Sequence, residues 1–458
     1  MMKPACSAVH VENGPIGKTL LFFALPVLAS QLLQELYNIT DCMIVGHFAG
    51  EFALAATGFA GMLLSVLINF FIGFSSGISV ITARLFGAYD YTSLKKTLSS
   101  VFRLVLLLGA AMTAAGFLLT GVILHALHCP GNVLGDASVY LSICIFGLTA
   151  QLIYNVGAAV LRSFGNTVSP LAGFALSCAC NLVLDAVLVV GCHLGAAGAA
   201  FATLISQWLL AFLLLNSLRK LNPDFSLSLT GSGISRRELL CMLKTGLPAG
   251  MQAVFMSISS LLIQVNINNF GPAAMAGMTV YAKIEGCLYL PSFAFGIALT
   301  GFIGQNLGAG RFDRIRTAVR LSLSAMLFII LPLSLVLMVT CGRILPLFTP
   351  DAAILANARE AVWVTFPVYV IYALNQVLLG AVKGLGNTAW PMLCTLVCYS
   401  FFRVIWCRLL IPVYDTMRVV YLSYDVSFFL MLLMLLPFYA HLLQTTGRRL
   451  EENRQASV

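Results

Sequence analysis

Charge is scarce in this sequence: 26 Lys or Arg and 17 Asp or Glu among 458 residues make 9%, where an ordinary soluble protein carries about 25%. A water-facing surface cannot be assembled from that stock, which excludes a soluble multidomain chain. Catalytic motifs are lacking too. There is no phosphate-cradling P-loop, no HExxH, and no Ser/His/Asp set that spacing recommends, so an enzyme or a directly ATP-driven pump has no support. The thirteen cysteines form no CxxC and no Cys/His set at zinc spacing. Even Cys178 and Cys180 point to opposite sides of a helix, and the cysteines read as small packing residues. The net charge of +9 sits in short connections between apolar runs rather than on a folded polar face, which argues against nucleic acid. Met1–Gly14 is polar, and the apolar run after it has no small-residue cleavage site, so a removed signal peptide is not expected. No cofactor and no obligate protein partner is indicated.

Apolar residues are what the chain has, at 60%, with a mean hydropathy of +0.94. A bilayer crossing takes about 20 of them. Twelve spans follow, at 18–46, 52–82, 97–124, 137–163, 169–191, 195–219, 238–268, 273–304, 317–341, 354–382, 390–411 and 418–444. The fold class is therefore an all-α polytopic membrane protein. Lys and Arg gather at the two ends and on one side of the connections. Arg343, Arg359, Arg408 and Arg418 fall on the other side, and Lys283 and Arg403 lie within spans. The positive-inside rule then makes both termini cytoplasmic, in a multi-pass protein of the plasma membrane.

The two halves match at a constant shift of 221 residues. Gly50 meets Gly271, Ala53 meets Ala274, Gly87-Ala88 meets Gly308-Ala309, and Arg162 meets Lys383. Gly165-Asn166-Thr167 with Pro170 meets Gly386-Asn387-Thr388 with Pro391. One register over nearly the whole half indicates duplication. Six spans per copy is an even number, so the expected arrangement is two six-helix bundles related by a pseudo-two-fold axis along the membrane normal. The expected organisation is an N-terminal lobe at 1–220, a cytoplasmic interlobe linker at 221–237, a C-terminal lobe at 238–446 and a solvated, fraying tail at 447–458.

Ionisable groups at bilayer depth cost about 2.5–3.5 kcal/mol each on insertion scales, so those present are functional candidates. They are Glu35, Asp41, Asp185, Lys283, Glu285 and Arg403. In the first span Gln31, Gln34, Asn38 and Asp41 recur along one face, with Tyr37 one turn from Asp41 and Glu35 off the stripe. Gln151 and Asn155 share a face of the fourth span, Asn181 and Asp185 a face of the fifth, and Thr203 lies in the sixth. The N-terminal bundle can thus surround a polar chamber of carboxyl, amide and hydroxyl oxygens. Such a set suits a hard cation or a proton shared between carboxylates, or else it holds helices together by hydrogen bonds. The second copy bears on that choice. There Asp41 meets Leu262, Asn181 meets Phe402, Asp185 meets Trp406, and Glu285 looks back to Leu64, so the fold itself does not demand the carboxylates. Arg403 reads as structural, paired with a carboxylate or reaching an interface.

Several segments together resemble the multidrug and toxic compound extrusion family. They are Leu25-Pro26 through Tyr37-Asn38 and Asp41 to Val45-Gly46, the two Gly-Asn-Thr segments, Gly198-Ala199-Ala200 with Ala202-Thr203, and Gly304-Gln305-Asn306 with Gly308-Ala309-Gly310. The resemblance covers essentially the whole chain. It implies a secondary antiporter exporting organic cations or amphipathic drugs in exchange for Na⁺ or H⁺ by alternating access. It also implies a coupling-ion or proton site at Asp41, Asn181, Asp185 and Thr203, where the family places an Asp, an Asn and Asp one turn apart, and a Thr. Some members use acidic residues in the seventh and tenth spans, where this chain has Met256 and Tyr372. Pro26 lacks a backbone donor and is the expected hinge of the first helix. A flippase for lipid-linked saccharides is the alternative, but it calls for a basic central cavity, whereas the deep charges here are mainly acidic.

Overall fold

The computed structural model of the chain describes residues 14–126, 131–221 and 236–455. Among these there are helices and turns and no strand. Hydrocarbon requires this, because without water each backbone N–H and C=O must find its partner inside the helix.

In the first copy, α1 (Ile16–Phe48), α2 (Glu51–Gly87) and α3 (Tyr91–Ala126) are single long helices. The expected span 137–163 is instead two helices, α4 (Gly131–Ile145) and α5 (Leu148–Ser163), bent by 46° at their junction. Gly147 sits at that break, where a Cβ would lie 2.1 Å from Gln207 Oε1. Helix α6 (Val168–Asp185) runs into a π-helical turn, Ala186–Gly191, and α7 (Gly195–Arg219) follows. In the second copy, α8 (Arg236–Asn268), α9 (Pro272–Gly308) and α10 (Phe312–Ile344) are continuous. A single 3₁₀ turn joins α11 (Ala352–Thr365) to α12 (Tyr369–Gly384). A second π-helical turn, Leu396–Phe401, lies between α13 (Ala389–Thr395) and α14 (Phe402–Tyr414). Among the described residues, eleven helical runs are long and apolar enough to cross a membrane, and twelve when the bent pair counts as one span. The last helix, α15 (Met417–Gln455), passes through Gly447 without a break. The tail expected at 447–458 is therefore helical through Gln455, since one glycine costs about 1 kcal/mol and does not stop a long helix. The expected linker lies outside the described residues, apart from its two ends.

The expected lobes count residues in chain order; by contact the chain forms two compact units. One holds Pro26–Gly250, and the other holds the described residues up to Leu25 together with those from Met251 onward. Helix α1 changes unit at Pro26, and α8 does so two residues after Pro248. In the first unit α2 lies against the opening of α8 with almost no space between backbones. A Cβ at Gly73 would stand 2.2 Å from the Ala249 carbonyl, and one at Gly77 would stand 2.4 Å from that of Thr245. The second unit does the same where α9 meets α12, with 2.4 Å from a Cβ at Gly380 to the Gly296 carbonyl. Small residues permit this approach, on which helix association in lipid depends.

The duplication is also written in the backbone. Gly165 and Gly386, 221 residues apart, both take positive φ, 81° and 96°, where a side chain would be strained. The Asn after each glycine caps the next helix: Asn166 Oδ1 accepts the Ser169 N–H at 3.0 Å, and Asn387 Oδ1 accepts the Trp390 N–H at 3.0 Å. The matched Gly-Asn-Thr segments are thus turn-and-cap devices that set the start of α6 and α13.

Candidate functional site

Asp185 is the last residue of α6 before the π-helical turn, and it is 1% exposed. A π turn inserts a residue into the helical register and re-aims the side chains beside it, a feature frequent at functional sites. Asn181, one turn earlier on the same face, is also buried. Turned so that both its ends are satisfied, its amide donates to Asp185 Oδ2 at 2.9 Å and accepts the Thr203 N–H of α7 at 3.3 Å. From α1, Asp41 brings its carboxyl within hydrogen-bond reach of Asp185. Tyr37, one turn before Asp41, places its hydroxyl 3.4 Å from Thr203 Oγ1. Five of the expected residues therefore meet inside the first unit: Tyr37, Asp41, Asn181, Asp185 and Thr203.

Two negative charges in contact repel strongly away from water, and a proton or a cation between them relieves the repulsion. The free valences are present, because among the described residues no donor reaches Asp41 Oδ1 or Asp185 Oδ1. The Thr203 hydroxyl and Tyr37 phenol oxygens beside them add neutral oxygens of the kind a hard cation takes.

Other expected chamber residues take less part. Asn155 is buried but donates to its own helix, at the Gln151 carbonyl, 2.8 Å away. Gln34 is half-buried, Asn38 and Glu35 are exposed, and among the described residues no hydrogen bond ties the Gln34, Asn38 or Gln151 side chains to the carboxyls. Pro26 sits inside a continuous α1, and Ser30 Oγ donates to its carbonyl at 2.8 Å. Glu285 belongs to the second unit, where the Tyr369 hydroxyl donates to its Oε1 at 3.1 Å.

Sequence reasoning missed three residues, two beside this site and one in the second unit. Tyr140 and Cys144 of α4 lie one turn apart, hydrogen-bonded to each other and within electrostatic reach of Asp41. An aromatic and a thiol in an apolar span give no signal that would have found them. Asp425 of α15 is buried in the second unit, and its position inside the expected span 418–444 was signal enough.

Comparison with known proteins agrees with this architecture. The family model described as MatE matches twice, at residues 26–187 and 248–409, each match beginning on a proline. The chain is 26% identical over 383 residues to the probable multidrug resistance protein YoeA of Bacillus subtilis, covering 82% of this chain and 83% of that one. Among solved structures, an outward-facing multidrug resistance MATE transporter of the MOP superfamily superposes with a TM-score of 0.88 at 21% identity, over 96% of this chain and 99% of that one. A MATE structure in a bent conformation gives 0.89 at 20% identity, over 98% and 100%. Two matches of the family model, over more than half of the sequence, show that this chain belongs to the MatE family of multidrug efflux transporters in the membrane.

Proposed function

We propose that the chain is a secondary antiporter that exports organic cations or amphipathic drugs in exchange for Na⁺ or H⁺, with Asp41, Asn181, Asp185 and Thr203 as the coupling site. The observation that supports this reading is the contact of buried Asp185 with half-buried Asp41, each with a shielded Oδ1 that no donor reaches. Occupancy by the coupling ion and engagement of a cationic substrate by the same carboxyls, directly or through bending of α1 at Pro26, exclude one another. Ion entry from outside then releases substrate outward, and ion release to the cytoplasm resets the site. A membrane potential of 100 mV supplies about 2.3 kcal/mol per charge. At about 1.4 kcal/mol per tenfold, one or two ions sustain concentration ratios from tens to thousands.

The test is ethidium transport in proteoliposomes with Na⁺ and pH gradients imposed separately. Asp41→Asn and Asp185→Asn abolish gradient-driven transport while yield and monodispersity stay near wild type. Transport at the parental rate in both variants would falsify the site.

A further inference from the structure

The second unit buries charge of its own. Arg403, on α14 directly after the π-helical turn, is 6% exposed. Its Nε donates to Ser427 Oγ at 2.8 Å, and its guanidinium carbon lies 4.2 Å and 4.5 Å from the ring centres of Tyr424 and Tyr399. Those rings hold the cation by their π faces, a contact that gains strength away from water. Two carboxyls lie within electrostatic reach of it, Glu285 on α9 and Asp425 on α15. Ser427 is its one hydrogen-bond acceptor among the described residues. Glu285 accepts from Tyr369, whereas Asp425, 6% exposed, has an Oδ1 that no donor reaches. The remaining titratable groups facing the carboxyls are phenols: Tyr281 of α9, Tyr372 of α12 and Tyr424 of α15.

The duplication shows that the fold does not require this cluster. At the shift of 221 residues, Glu285, Arg403 and Asp425 fall on Leu64, Leu182 and Leu204. In the other direction, Asn181, Asp185 and Thr203 fall on Phe402, Trp406 and Tyr424. Each copy therefore sets charged groups on its fifth span, Asp185 in one and Arg403 in the other, at positions where its counterpart is apolar. Two carboxyls against one guanidinium leave one negative charge unbalanced. A metal ion needs a shell of several oxygens, and here a fixed cation stands among the donors. A proton needs one oxygen.

We propose that Glu285, Arg403 and Asp425 form a second exchange site, in which Arg403 is a tethered cation and the exchangeable species is a proton rather than a metal ion. Its part in transport rests on the antiport reading; its proton binding does not. Proton uptake by the purified full-length chain in detergent is counted after a step from pH 8 to pH 6, in KCl and in NaCl. The double variant Glu285→Gln, Asp425→Asn takes up about one proton fewer per chain than wild type, in both salts. The same deficit appears when these substitutions are added to Asp41→Asn, Asp185→Asn. Equal uptake by variant and wild type overturns the proposal, as does a deficit that vanishes in NaCl, which would mean a metal ion occupies the site. Should the double variant not purify, Asp425→Asn and Glu285→Gln are read singly in the same way. In proteoliposomes an ethidium gradient drives proton flux, and Glu285→Gln, Asp425→Asn lowers that flux at least fivefold; unchanged flux overturns the exchange role. A proton deficit in detergent with no ethidium movement even in wild type leaves the proton site standing and sinks the antiport reading instead.

Discussion

Removing the Asn181 amide takes from Asp185 Oδ2 its donor at 2.9 Å and from the Thr203 N–H an acceptor additional to its own helix. A hydrogen bond to a charged group contributes about 1.5–3 kcal/mol and favours the unoccupied carboxylate, so Asn181→Leu tightens binding of the coupling ion by roughly ten- to a hundredfold. The second copy holds Phe402 at this place, so an apolar side chain fits the helix and yield is unaffected. The ion concentration that half-saturates ethidium export reads the effect; an unshifted value would make the amide a packing group. At this scale much was legible. Asp41 and Asp185 stand out by insertion cost and by contrast with Leu262 and Trp406. Tyr140 and Cys144 do not, because an apolar span tolerates both as ordinary packing residues, and only the fold brings them to Asp41.

Helix boundaries follow from devices that can be removed one at a time. Asp351 caps α11, its Oδ1 accepting the Ala353 and Ile354 N–H groups at 2.8 and 3.1 Å. Asp351→Ala costs about 1 kcal/mol, read as a lower unfolding temperature in detergent. Gly380→Ala acts differently, because the new Cβ meets the Gly296 carbonyl at 2.4 Å. Overpacking of this kind costs about 1–3 kcal/mol, and the same thermal assay reads it. In the connection between α2 and α3, Asp90 accepts the Ser93 N–H at 3.0 Å, which holds its carboxyl below the usual range. Its pKa is lowered in the folded state, so the cap stabilises at neutral pH and is lost as pH falls through that lowered value. Protection factors for amide exchange in the first turn of α3, corrected for the intrinsic pH dependence, accordingly fall in acid, and Asp90→Ala removes that fall. Apolar run length located the spans but not the helices into which three of them divide. It could not reveal the 46° bend at α4 and α5 or the two π-helical turns, because a change of helical register or direction leaves the length and apolarity of the run unchanged.

For the whole molecule, the placing of Lys and Arg predicts both termini in the cytoplasm. A green fluorescent protein fused after Val458 is fluorescent and an alkaline phosphatase fused there is inactive; the reverse pattern would invert the topology. Repeat register and run length make the duplicated, polytopic architecture legible in the sequence alone, and the MatE model matches the same two halves. What the sequence could not show is that α1 and α8 each divide between the compact units beside a proline, because membership of a unit is a property of contacts. In the proposed antiport cycle one carboxyl pair serves either an ion or a cationic substrate. Equilibrium binding of ethidium to the purified chain, titrated against Na⁺ and against pH, tests it most directly. The apparent Kd rises in proportion to the coupling-ion concentration in wild type and is flat in Asp41→Asn, Asp185→Asn. Ethidium affinity independent of both ions in wild type would contradict the claim.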